Sequence, residues 1–246
     1  MKKLTSVIVM AVVAAVLLPL SVQAYETTMQ DVVYNRTKTV YGYAGTSVGY
    51  SIGNSYSQGG YAGNFSVTIV DPNDGDLMRD MNTGSEWLAA FCIEPTQHAA
   101  IGMGVNVGID LAVPSSVQGG LEVAWMFDNA ELYAEEAGLG NYWVSGLQLA
   151  IWEVMEDYGA HDLLGGTFRV NTAATKAETV ALAGIYLDKL ATNFDPKFLD
   201  SRYLLTLNDT YQNFIVKATP EPATMFLLGS GLVGLVGLRK RFGKKS

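Results

Sequence analysis

The stretch that decides the fold reads YWVSGLQLAIWEVM and covers residues 142 to 155. Its apolar residues recur at helical spacing as one stripe, and others cover much of the remaining surface: Trp143, Leu147, Ile151 and Val154, then Leu149, Trp152 and Met155. A helix that is apolar over most of its surface is buried in a core. Gln148 is therefore predicted to be a buried carboxamide, and leaving it unpaired would cost about 1–3 kcal/mol.

Outward from this helix, the N-terminal residues 1 to 24 have the pattern of a cleavable signal peptide. Lys2 and Lys3 precede an apolar run from residue 7 to residue 20, and a small-x-small sequence predicts cleavage after Ala24. The protein is therefore expected to be exported and to meet signal peptidase on the way.

The C-terminal residues 218 to 246 have the pattern of a sorting tail. The triplet Pro220-Glu221-Pro222 precedes an apolar run from residue 223 to residue 238 and a basic end. This run is short against the roughly 20 residues that cross a bilayer, so it predicts a transmembrane helix held only transiently in the inner membrane. The ordered triplet, run and basic end resemble the tail of PEP-CTERM proteins. That resemblance implies a Gram-negative host, processing by an exosortase, and a place in the cell envelope, cell surface, extracellular matrix or biofilm.

Residues 25 to 217 are predicted to form a single α+β domain, a β-rich sandwich or barrel with a few packed helices. Alternating residues predict short strands with turns between them from residue 25 to residue 61. Short apolar runs predict strands over 64–70 and 87–94, and a hairpin of 203–207 with 213–216. Helices are predicted from residue 121 to the acidic stretch near 135, over 142–155, and after a capping box at Thr175 and Glu178. The acidic cluster at residues 71 to 76 fails calcium-loop spacing and predicts a hairpin turn.

The region between the two ends is strongly acidic. Residues 25 to 238 hold nine basic and 24 acidic residues, a net charge of −15. Such a surface repels nucleic acid, which we exclude as a partner. No His or Cys cluster has metal-ligand spacing, so neither a metal nor a cofactor is predicted.

Cys92 is the only cysteine of the chain and lies in the predicted strand over 87–94. A free thiol in an oxidising compartment is a liability unless it is buried or chemically used. An interior Cys92 and an interior Gln148 suggest one reaction, in which the sulfur attacks the Gln148 carbonyl, ammonia leaves and a thioester remains. Holding the two groups in near-attack geometry would favour it.

Both segments resemble the motifs of bacterial thioester domains, the cross-linking domains of surface adhesins. The first motif is an aromatic residue, Cys and a nearby acidic residue, and the second is a helical Leu-Gln-x-Ala-Ile-Trp-Glu; here they read Phe91-Cys92-Ile93-Glu94 and Leu147-Gln148-Leu149-Ala150-Ile151-Trp152-Glu153. The order of elements is similar over residues 62 to 216.

This resemblance implies a thioester between Cys92 and Gln148, surrounded by Phe91, Glu94, Trp152 and Glu153. A nucleophile on a target surface, a protein amine or a polysaccharide hydroxyl, would open the bond and stay attached to Gln148. The protein would then be a covalent adhesin rather than an enzyme.

Two alternatives remain open. Cys92 could be a hydrolase or transpeptidase nucleophile with His98 or His161 as its base. The chain could also be a structural matrix protein whose Tyr- and Gly-rich front binds polysaccharide without any thioester. Amine capture separates the three hypotheses. The thioester predicts stoichiometric labelling at Gln148, the enzyme predicts turnover, and the structural protein predicts neither.

Overall fold

The computed structural model describes residues 34–70, 77–79, 85–99, 101, 107–198 and 202–217. The predicted signal peptide, the predicted turn at residues 71 to 76 and the predicted sorting tail with its apolar helix lie outside these residues. Within them, no helix is both long enough and apolar enough to span a membrane.

Seven strands and three α-helices make up the described part of the chain. The strands are β1 (Tyr34–Ile52), β2 (Ser55–Val70), β3 (Leu88–Cys92), β4 (Val107–Ala112), β5 (Phe168–Asn171), β6 (Tyr203–Leu207) and β7 (Phe214–Lys217). The helices are α1 (Gly120–Glu136), α2 (Trp143–Glu156) and α3 (Ala177–Asn193). Short 3-10 turns at Pro114–Ser116 and Gly140–Tyr142 precede α1 and α2.

Six of these strands close into an antiparallel barrel. The strand order is β2-β3-β7-β6-β4-β1-β5, and β1 also pairs with β2, which closes the ring. β5 pairs with the C-terminal end of β1, where residues 49 to 52 lie opposite residues 168 to 171. Closure removes free edges from most of the sheet. The predicted class, a β-rich α+β fold with a few packed helices, is confirmed.

The front of the described chain is a long hairpin, so the prediction of short strands with turns between them is wrong. β1 has 19 residues and pairs with β2 along nearly its whole length, with irregularities after Val40 and after Val48. Such bulges let long strands bend around a barrel. The glycines of this segment lie in the ladder, where the two backbones approach closely. A Cβ on Gly45 would lie 2.3 Å from the Ala62 carbonyl oxygen.

The α2 helix forms the centre of the helical layer, and its predicted burial is confirmed. Every residue from 145 to 154 is buried. α2 packs against α1, α3 and β2. Gly146 allows the close approach to α3, since a Cβ there would lie 3.0 Å from Leu182 Cγ. Each fully buried aliphatic side chain of this helix, such as Leu147 and Ile151, contributes about 1.5–3 kcal/mol of transfer free energy.

The start of α3 differs from the predicted capping box. Lys176 is the N-cap and makes no side-chain cap. The buried Thr175 hydroxyl instead accepts the Gly49 N–H at 3.1 Å and donates to the Gly49 carbonyl at 3.3 Å. Thr175 bonds the β1 backbone rather than the start of α3. Both Thr175 and Gly49 are buried, so their polar groups require hydrogen-bond partners within the protein.

Candidate functional site

Cys92 lies at the end of β3, where the strand loses one of its neighbours. β2 pairs with β3 only as far as Phe91, which lies opposite Asn64. On the other side, Cys92 pairs with Phe214 of β7. The Cys92 N–H and carbonyl therefore face a place that no strand fills, and backbone groups buried there need partners.

The side chain of Gln148 fills that place. Its Oε1 accepts the Cys92 N–H at 3.0 Å, and its Nε2 donates to the Cys92 carbonyl at 2.7 Å. Both residues have no exposed surface. The pair of bonds satisfies the buried carboxamide and the end of the strand at once. The structure thus brings together the two residues that the sequence singled out, although 56 positions separate them.

Burial dominates the electrostatics of the Cys92 thiol and raises its pKa to about 12. The Glu94 carboxylate also raises it, whereas three groups act in the opposite direction: the indole N–H of Trp152, the backbone N–H of Glu94 and the ammonium of Lys38. The Glu94 nitrogen lies 3.4 Å from Sγ. A free Cys92 is therefore a protonated, unreactive thiol at neutral pH, unlike the thiolate of a cysteine enzyme.

Lys38 is a buried site residue that sequence reasoning missed. It extends from β1 across the barrel, and its ammonium donates to Thr206 Oγ1 at 3.4 Å and to the Gln212 carbonyl. Burial lowers its pKa to about 8, while the nearby Cys92 has a smaller raising effect. Nothing in the local sequence distinguishes it from a surface lysine, because only barrel closure turns this position inward.

The residues flanking Cys92 hold β3 and the following turn in place. The Phe91 ring packs edge-on against Phe127 at 4.7 Å and lies 6.0 Å from the Trp143 ring. Glu94 Oε2 accepts the Asn213 amide at 2.7 Å, which ties the turn after β3 to the start of β7. These contacts leave the Cys92 backbone little freedom relative to α2.

Glu153 points away from the Cys92–Gln148 pair, toward the loop after α2. Its Oε1 accepts the Asp162 N–H at 2.7 Å, whereas Oε2 is buried with no hydrogen-bond partner in the described part of the chain. Burial is the main cause that raises the Glu153 pKa to about 7, and the carboxylates of Asp157 and Asp162 add to it. Ionising this carboxyl therefore costs folding free energy.

We expect the stability of the protein to fall as pH rises from about 4.5 to about 7, and Glu153→Gln to remove much of that fall. The folded state binds the Glu153 proton more tightly than the unfolded state in this window, so stability is full below it and lost above it. At pH 8 the variant should be about 1–3 kcal/mol more stable than the parent chain. Urea denaturation at several pH values measures the difference.

The control for this experiment is Glu131→Gln, an exposed glutamate on α1. It should leave the pH dependence unchanged. Glu156, whose pKa is also raised by burial, keeps part of the slope in both variants. Parallel pH profiles for Glu153→Gln and the parent chain would show that Glu153 does not cause the loss of stability.

Neither histidine contributes to the electrostatics of the Cys92 thiol among the described residues. The His98 carbonyl accepts the Gln212 N–H at 3.2 Å. His161 lies in the loop after α2 with a left-handed backbone, φ 54°. In the same described residues, no group of His, Cys, Asp and Glu side chains could hold a metal ion.

Fold and site together define a closed barrel that carries a buried Cys–Gln pair beneath a core helix. Residues 218–241 match the PEP-CTERM protein-sorting motif, which confirms the predicted tail and indicates an exported protein processed by an exosortase. No curated protein is significantly similar to the chain in sequence.

Several solved structures of bacterial surface proteins are similar to the chain. The N-terminal thioester domain of fibronectin-binding protein SfbI from Streptococcus pyogenes is 14% identical with a TM-score of 0.40, covering 78% of this chain and 97% of that one. The N-terminal thioester domain of a Clostridium perfringens surface protein is 12% identical with a TM-score of 0.37, covering 71% and 100%. The N-terminal domain of the Streptococcus pyogenes pilus tip adhesin Cpa is 12% identical with a TM-score of 0.37, covering 76% and 94%.

Proposed function

We propose that this exported protein attaches covalently to surface nucleophiles through a thioester between Cys92 Sγ and Gln148 Cδ. The observation that carries the proposal is the docking of the Gln148 carboxamide on the Cys92 backbone by two hydrogen bonds, at 3.0 and 2.7 Å, in a fully buried site. Fixed geometry of this kind replaces the high concentration that a thiol and an amide would otherwise need.

Formation of the thioester needs no cofactor, because the thiol and the amide supply every atom of the products. The Cys92 sulfur attacks Gln148 Cδ, the C–N bond breaks, and the thiol proton leaves with the amide nitrogen as ammonia. The Cys92 N–H already bonds Oε1, so it is placed to stabilise the negative charge that develops on that oxygen. Geometry matters more than thiol acidity here, because burial keeps the thiol protonated.

Opening of the bond is the functional step. An amine or hydroxyl on a target attacks Cδ, the C–S bond breaks, and the target becomes linked to Gln148 as an amide or an ester. The target is a protein amine or a polysaccharide hydroxyl at the cell surface or in the extracellular matrix. The PEP-CTERM motif at residues 218–241 supports a Gram-negative host, in which this chemistry would serve attachment in the envelope or biofilm.

The electrostatics of the site favour this proposal over the cysteine-enzyme alternative. A cysteine nucleophile that turns over needs an accessible thiolate with a nearby base. The Cys92 thiol is fully buried with a raised pKa, and in the described chain no histidine acts on it.

The intact mass of the mature protein tests the proposal. We expect protein exported to the periplasm to be lighter than its sequence mass by one ammonia, and to gain one methylamine adduct on incubation with that amine. The Cys92→Ala variant should have its full sequence mass and take up no amine.

A full wild-type mass, with Cys92 alkylated after denaturation, would contradict the thioester. The chain would then be a structural matrix protein. Repeated release of product from an amine or ester substrate would point to the enzyme instead.

A further inference from the structure

We propose that the indole N–H of Trp152 and the backbone N–H of Glu94 form a pocket that receives the negative charge of the Cys92 sulfur when the thioester opens. This inference rests on the proposed function. It assigns Trp152 a chemical role in the release of the sulfur, beyond a place in the core.

The pocket consists of two N–H groups from different elements. The Glu94 nitrogen belongs to the turn after β3 and lies 3.4 Å from Sγ. Trp152 lies on α2, one helical turn after Gln148, so its side chain emerges on nearly the same face as the carboxamide. The reacting carbonyl and the second donor are therefore supplied by one rigid helix.

The Trp152 N–H is held ready without a full partner. The side chain is 3% exposed, and its Nε1 atom makes no hydrogen bond of normal geometry in the described part of the chain. It nevertheless lowers the pKa of the Cys92 thiol, although no hydrogen bond of normal geometry joins the two groups. Tyr50, at 5.0 Å between ring centroids, and Phe168, at 6.1 Å, fix the ring.

A buried donor with so weak a partner is costly in the resting protein. The cost is recovered if the sulfur becomes charged, because an N–H bonds a thiolate more strongly than a thiol. Donors placed in advance for a charge that develops only during reaction are how proteins stabilise transition states.

Lys38 adds a positive charge to the same interior. Its ammonium lies 4.4 Å from the centroid of the Phe214 ring, and Phe214 is the residue that pairs with Cys92 across β3 and β7. Its charge lowers the thiol pKa, while its hydrogen bonds in the described residues go to Thr206 and Gln212. From the barrel side, the Lys38 charge thus adds to the effect of the two N–H donors on a negatively charged sulfur.

The step that the pocket serves is the departure of the sulfur. An amine attacks Gln148 Cδ, the C–S bond breaks, and its electron pair stays on Sγ. The proton lost by the amine then passes to the sulfur and restores the thiol, so nothing is oxidised or reduced. Burial alone makes this sulfur a poor leaving group, and thiols of lower pKa leave faster.

Trp152→Phe tests the inference, because phenylalanine keeps an aromatic ring against Tyr50 and Phe168 but removes the N–H. We expect the purified, thioester-containing variant to react with methylamine about 10- to 100-fold more slowly than wild type. Mass spectrometry over time measures the rate. The matched control is Trp125→Phe, a buried tryptophan on α1 that packs against Phe194, and it should open at the wild-type rate.

A second measurement tests the inference if Trp152→Phe fails to form the thioester. The pH dependence of Cys92 alkylation reports the thiol pKa in the amine-opened wild type and in Trp152→Phe. A higher apparent pKa in the variant supports the pocket.

An equal apparent pKa, or opening at the wild-type rate with the bond present, would overturn the inference. Failure of the proposed function looks different, because wild type itself would then show no loss of ammonia.

Discussion

Replacing Gln148 by glutamate is expected to cost the folded domain about 3–5 kcal/mol at neutral pH, the range seen when a buried charge loses its partner. Gln148 Nε2 donates to the Cys92 carbonyl at 2.7 Å. In the variant a carboxylate oxygen takes that position, so two acceptors face each other in a site with no exposed surface. The measurement is urea denaturation, in a Cys92→Ala background so that no thioester contributes to either chain.

The loss should depend on pH with a defined sign. Burial and the facing carbonyl raise the pKa of the new carboxyl in the folded state, so that state holds its proton more tightly. Stability is therefore retained below the unfolded pKa, near pH 4, and lost as pH rises through the folded value.

The control is Gln148→Met, which removes both hydrogen bonds but adds no charge. Its loss of folding free energy should be about the same at every pH. Identical pH profiles for Gln148→Met and Gln148→Glu would contradict the docking geometry. The glutamate variant is also the chain that hydrolysis of the proposed thioester would leave, so we expect the hydrolysed domain to be less stable.

Shortening Gln148 by one methylene, in Gln148→Asn, is expected to reduce covalent capture of a fluorescent amine by about 100-fold or more. The variant keeps the carboxamide, so its intrinsic chemistry is unchanged. Its carbonyl carbon, however, moves by roughly the 1 Å that is enough to lose near-attack geometry. Fluorescence of the protein band on a denaturing gel measures the capture.

The matched control is Gln118→Asn, the same substitution at an exposed glutamine before α1. It should label like wild type, with one amine per chain. Equal labelling of Gln148→Asn and wild type, or labelling of Cys92→Ala, would place the reactive group elsewhere.

Local sequence was sufficient wherever a short segment carries its own physical reason. Continuous apolar coverage of residues 142 to 155 can be satisfied only by a buried helix, and the structure buries every residue from 145 to 154. The strand around Cys92 follows from a short apolar run that Pro95 ends, and the hairpin of β6 and β7 follows from two apolar runs on either side of a turn. The sorting tail at residues 218–241 is readable because processing enzymes recognise an ordered motif rather than a fold.

Other features could not be read locally, because their partners are far apart in the chain. Barrel closure through β1 and β2 turned an ordinary lysine, Lys38, into a buried cation bonded to Gln212, 174 positions away. The same closure joined segments that looked like separate short strands. Thr175 has the spacing of a helix cap, yet Gly49 of β1 is its partner.

The sequence by itself thus singled out one cysteine in a buried strand and one glutamine in a buried helix. Only the tertiary structure decided how they meet. β2 stops pairing at Phe91, so the Cys92 backbone is left facing α2, and Gln148 bonds it there. The physical reason is that buried polar groups must find partners, and which partner is within reach depends on how the strands close.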